Sequence, residues 1–124
     1  MKKILVVDDE ELVVKALTRK LKQENFLTDY AYNGEEALIK ISQEKPDLIL
    51  LDIVMPKLDG ISLIKKLKES DETKDIPVII LSNLAYDDNK IQELLQTNDT
   101  SYLTKVNYSL NELVMYIKKK LKLV

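Results

Sequence analysis

The chain contains no histidine. That removes imidazole metal ligands, Ser-His nucleophile pairs and any phosphohistidine formed on the chain itself. It contains no cysteine either, which excludes disulfides and thiolate chemistry and is compatible with a reducing cytoplasm. A single arginine, Arg19, stands among 19 basic residues. Bidentate reading of base edges leans on arginine, so sequence-specific nucleic-acid recognition is disfavoured. A formal net charge of −2 gives no general attraction to polyanions or anionic membranes. Long apolar runs are also missing. The first, Ile4-Leu5-Val6-Val7, stops at Asp8-Asp9-Glu10-Glu11. That is shorter than a signal-peptide core or a membrane span, and neither is expected. No Pro/Gly/Ser-rich linker, repeat or low-complexity stretch interrupts the 124 residues, so one domain over residues 1–124, without an output domain, is expected.

Short apolar runs alternate with helix-length amphipathic segments. Strands are expected at about 3–8, 27–31, 47–52, 77–82 and 101–104. The first, third and fourth are apolar throughout, as parallel strands covered on both faces must be. The second, Leu27-Thr28-Asp29-Tyr30-Ala31, is more polar and suits a sheet edge. Helical stripes read as Val13, Leu17 and Leu21; Ala37, Leu38 and Ile41; Ile61, Ile64 and Leu67; Ile91, Leu94 and Leu95; and Leu110, Leu113, Ile117 and Leu121. Asn33 with Glu36 and Ser109 with Glu112 read as helix starts. Asn33-Gly34 could instead be a hairpin turn, but the helical stretch behind it argues against that. Lys118, Lys119, Lys120 and Lys122 form a basic cluster. It is read as a solvated helix C-terminus opposing the dipole rather than as a nucleic-acid patch.

Alternating βαβ units predict an α/β fold, a doubly wound (βα)5 parallel sheet with right-handed crossovers, and with strand order 2-1-3-4-5 the first and third strands are neighbours. Ligands bind such sheets outside the C-terminal strand ends, where the winding reverses. Chemistry-bearing residues fall at those ends: Asp8 and Asp9, Asp52, Ser82 and Lys105. Asp8, Asp9 and Asp52 should converge from the adjacent first and third strands. Three carboxylates together repel, so either their pKa values rise or a cation joins them. Oxygen ligands without His or Cys suit Mg²⁺ or Mn²⁺. Such a site beside a lone amine suits a phosphoryl group, with Asp52 as nucleophile, Lys105 as counter-charge and the Ser82 hydroxyl as hydrogen-bond donor. Taken singly, each residue has a plainer reading. Asp8-Asp9 can cap the helix starting near Glu10, Ser82 can cap or turn, Lys105 can be a solvated lysine, and Tyr102 a surface aromatic.

Asp8-Asp9, Asp52 followed by Met55-Pro56 and Asp59-Gly60, Ser82, and Tyr102 before Lys105 together resemble the receiver domain of two-component response regulators. The resemblance covers essentially the whole chain. It implies a flavodoxin-like fold and a single-domain phosphorelay module. Asp52 would accept a phosphoryl group from a histidine kinase or histidine phosphotransfer protein. Asp9, Asp52 and the Val54 carbonyl would bind Mg²⁺, with Asp8 acting mainly through water. Ser82 and Tyr102 would be the switch pair, and Lys105 would touch the phosphoryl group. A downstream protein would dock on the face of the fourth helix, fifth strand and fifth helix. The implied protein is a cytoplasmic monomer or weak dimer. It is no enzyme beyond its own phosphorylation and slow autodephosphorylation. Departures from the family pattern are Val106 for Pro, Asn83 for a small residue and Asn98 for Gly. A cis bond before a non-proline costs about 2.5–4 kcal/mol, so a trans Lys105-Val106 bond is expected. Two rivals are weaker. An aspartyl-phosphate phosphatase acting on small substrates usually carries Asp-x-Asp and a cap, but position 54 is Val and no cap insertion exists. A receiver-like domain that is never phosphorylated has no need of the full acid, nucleophile and lysine set.

Overall fold

A computed structural model of the chain describes residues 1–52, 60–82, 100–104 and 109–123. Five strands form one sheet: β1 (Lys3–Val7), β2 (Leu27–Ala31), β3 (Leu48–Asp52), β4 (Val78–Ser82) and β5 (Thr100–Thr104). Four helices are described: α1 (Glu11–Gln23), α2 (Gly34–Gln43), α3 (Gly60–Lys68) and α4 (Leu110–Lys120). Every strand pair is parallel, in the order β2-β1-β3-β4-β5. The expected doubly wound, flavodoxin-like sheet is therefore present, with β2 at an edge. The fifth helical segment of the sequence is α4. The fourth, with Ile91, Leu94 and Leu95, lies outside the described residues.

Strand side chains alternate between two cores, because successive residues of a strand face opposite ways. Leu5, Val7, Ile49, Leu51, Val78 and Ile80 meet Ala37 and Ile41 of α2 and Leu63, Ile64 and Leu67 of α3. Ile4, Val6, Leu48, Leu50, Ile79 and Leu81 meet Val14, Leu17 and Leu21 of α1 and Leu113 and Ile117 of α4. Helices thus cover both faces, which is why β1 and β3 could be apolar without a break. Two helical stripes differ from expectation by a small rotation. Val14, rather than Val13, is the buried residue of α1, and Val13 packs only partly. In α4, Val114 is buried while Leu110 is 42% exposed. Adjacent apolar residues leave the helical phase undetermined: packing selects Val14 over Val13 in α1 and buries both Leu113 and Val114 in α4.

The helix starts behave as their sequences suggest. The Asn33 side chain accepts from the Glu36 N–H at 2.9 Å. Glu36 Oε1 accepts in return from the N–H of Tyr32, at 3.0 Å, rather than from Asn33 itself. Ser109 Oγ accepts from the Glu112 N–H at 3.1 Å. The start of α1 is different. Glu10 is its N-cap residue but makes no capping bond with its side chain. At the end of α1 the chain turns through Asn25 at φ 70°. Asparagine tolerates that left-handed conformation, and the turn lets the Phe26 N–H reach the Leu21 carbonyl at 3.0 Å.

Candidate functional site

The acid cluster follows directly from strand register. Val7 of β1 lies opposite Leu51 of β3, so the next residues, Asp8 just past β1 and Asp52 at the end of β3, stand side by side. One carboxylate oxygen from each of Asp8, Asp9, Glu10 and Asp52 lies within 4.8 Å of the others. The convergence of the three aspartates is as the sequence suggested. Glu10 is an addition. The run Asp8-Asp9-Glu10-Glu11 offers two further acids beyond the pair, of which Glu10 joins the cluster while Glu11 pairs with Lys15.

Each acid is held differently. Asp8 is 2% exposed. Its N–H donates to the Ala31 carbonyl at 3.1 Å, continuing the β1–β2 ladder by one residue. One of its carboxylate oxygens accepts from the Glu10 N–H at 2.9 Å. Asp8 therefore orders the turn into α1 from two residues before the helix, while the N-cap position itself belongs to Glu10. Asp9 and Glu10 are exposed, and Asp52 is partly buried at the end of β3. Nearby, burial and then the Glu11 charge push the Tyr32 phenol above its ordinary pKa.

The backbone carries the other end of the site only part of the way. Asp52 is in register with Leu81, so Ser82 stands one residue further out on the neighbouring strand. Ser82 pairs with Thr104, the last residue of β5, and Tyr102 pairs with Ile80. Val54, Asn83, Asn98, Lys105 and Val106 lie outside the described residues, so the readings placed on them, including the trans Lys105-Val106 bond, rest on sequence.

The donor set is chemically uniform. Four carboxylates are gathered, and no imidazole or thiolate exists anywhere in the chain. Such oxygen donors fit a hard divalent cation like Mg²⁺ or Mn²⁺ rather than zinc or copper.

A family model described as the response regulator receiver domain matches residues 4–118. The alkaline phosphatase synthesis transcriptional regulatory protein PhoP of Bacillus subtilis is 41% identical over 104 residues, 84% of this chain and 42% of that protein. Response regulator PleD of Caulobacter vibrioides is 39% identical over 103 residues, 83% of this chain and 22% of that protein. The chain thus spans less than half of either relative. The receiver domain of the Francisella response regulator 1452 superposes with a TM-score of 0.84 at 38% identity, covering 98% of each chain.

Proposed function

The chain belongs to the response regulator receiver domain family, and from that premise we propose that Asp52 is its phosphoacceptor. The donor is a histidine kinase or histidine phosphotransfer protein, consistent with a chain that has no histidine of its own. An Asp52 carboxylate oxygen attacks the donor phosphorus. The phosphorus–nitrogen bond of the donor imidazole breaks, its electron pair stays on nitrogen, and nitrogen takes up a proton. The product is an aspartyl phosphate on Asp52 and a free histidine on the donor.

The observation that carries this reading is the convergence of Asp8, Asp9 and Asp52 across the β1–β3 boundary, where the winding of the sheet reverses. An incoming phosphoryl group would be repelled by these charges alone. Asp9, Asp52 and the Val54 carbonyl would hold Mg²⁺ or Mn²⁺, with Asp8 acting mainly through water. The cation would supply neutralisation of the phosphoryl charge. Lys105 would balance further charge, and the Ser82 hydroxyl would donate to a phosphoryl oxygen, with Tyr102 as its partner in switching. The phosphorylated form would present a changed surface around the fourth helical segment, β5 and α4 to a downstream protein. A cytoplasmic location suits this role, and no helix among the described residues is long and apolar enough to cross a membrane.

The test is incubation of the purified chain with acetyl phosphate and Mg²⁺, read by intact mass. Wild type should gain one phosphoryl group and Asp52→Asn none. Equal labelling of Asp52→Asn would remove the assignment.

A further inference from the structure

We infer that Glu10 is a fourth carboxylate of the cation site and raises its affinity for Mg²⁺ and Mn²⁺. The inference rests on the cation reading above and extends it to a residue outside the set that the receiver resemblance supplies.

Two observations and one contrast lead to it. A Glu10 carboxylate oxygen lies within 4.8 Å of oxygens of Asp8, Asp9 and Asp52. Glu10 also occupies the N-cap of α1, where a side chain ordinarily accepts a helix N–H. It makes no such bond, and its own N–H is taken by the Asp8 carboxylate. The turn that Asp8 orders thus leaves the Glu10 side chain beside the other acids and unused by the helix. The contrast is Glu11, one residue on. Glu11 pairs with Lys15 at 3.1 Å, one turn along α1, and is not part of the cluster.

The consequence is electrostatic. Two like charges within 5 Å of each other repel even in water, and a divalent cation reverses the sign of that interaction. Glu10 is exposed, so solvent and salt weaken its effect without removing it. Its removal should weaken cation binding by roughly three- to tenfold at low ionic strength. It should also relieve repulsion in the cation-free protein, so the rise in melting temperature on adding Mg²⁺ should shrink.

The experiment is calorimetric titration of the whole chain with MgCl₂ and, separately, MnCl₂, without any phosphodonor. Wild type, Glu10→Gln and Glu11→Gln are compared at low and at physiological ionic strength. Glu10→Gln should show the three- to tenfold higher Kd, narrowing as salt rises, while Glu11→Gln stays within about twofold of wild type. Melting curves with and without Mg²⁺ provide a second reading on the same variants. Unchanged binding in Glu10→Gln would overturn the inference. So would an equal loss in Glu11→Gln, which would mean a diffuse surface charge. If wild type binds neither cation, the underlying cation reading falls with it. If wild type binds and Glu10→Gln matches it, only the role of Glu10 falls.

Discussion

At the N-terminal edge of the sheet, charges of opposite sign are interleaved. Lys3 sits 3.1 Å from Glu44 and 3.9 Å from Asp29, and Asp29 is also met by Lys40 at 3.1 Å. The Lys3 N–H donates to Asp47 at 2.7 Å, which ties β1 to the entry of β3. The end of α1 is joined to α4 by Lys118 and Glu24 at 3.0 Å. At the C-terminal edge of the same strands, four acids lie together among the described residues. Both edges stand on the same two hydrophobic cores, so burial does not explain the difference. A folded chain gains by pairing its charges. Gathering charges of one sign costs stability, and such a cost persists where a ligand of opposite charge relieves it. The first edge is built to hold strands and helices together. The second, on the proposed function, is built to meet a cation and a phosphoryl group.

This contrast can be broken at either edge. The largest effect should come from stripping divalent cations. With EDTA in place of Mg²⁺, the rate of labelling by acetyl phosphate should fall about a hundredfold or more, while folding persists. Intact-mass time courses check this, and comparable rates in EDTA would put the acid cluster on a par with the other edge. Next comes the core beneath both edges. Leu50→Ala, at a side chain 1% exposed, should cost about 2–5 kcal/mol in urea unfolding.

A paired test then separates the edges. Asp47→Ala deprives the Lys3 N–H of its acceptor and should cost about 1–2 kcal/mol, with labelling of Asp52 unchanged. Asp9→Ala should do the reverse, slowing labelling while leaving cation-free stability equal or higher. Loss of labelling in Asp47→Ala would dissolve the distinction. The smallest effect concerns Glu24, whose pKa is lowered from its ordinary 4.5 by its hydrogen bond to Lys118. A depressed carboxylate stabilises the fold above its unfolded pKa, and that contribution is lost as pH falls through the lower folded value. Melting temperatures of wild type and Glu24→Gln should therefore differ slightly at neutral pH and converge in acid below about pH 4.5. A gap that widens in acid would contradict the sign.

Much of this was readable in advance, for identifiable reasons. Buried parallel strands leave unbroken apolar runs, so β1, β3 and β4 announced themselves, and their ends placed Asp8 and Asp52 together. The helical phase was less legible, because Val13-Val14 and Leu113-Val114 each offer two apolar neighbours to one stripe. Glu10 has no distinct sequence signal, because the pair Asp8-Asp9 already accounts for acids at that strand end and Glu11 is an equal neighbour. The ion pairs of the N-terminal edge were invisible, since Lys3 and Asp47 are 44 residues apart and Glu24 and Lys118 are 94 apart. No local pattern encodes such pairs. Only the assembled sheet brings them within reach.

The most direct measurement locates the phosphoryl group itself. Wild-type chain phosphorylated with acetyl phosphate and Mg²⁺ is reduced with borohydride, which converts an aspartyl phosphate to homoserine. Peptide mass mapping then reads the modified position. Homoserine at position 52, absent when EDTA replaces Mg²⁺, is the predicted result. Homoserine at position 8 or 9, or at an acid of the opposite edge such as Asp29 or Asp47, would contradict it.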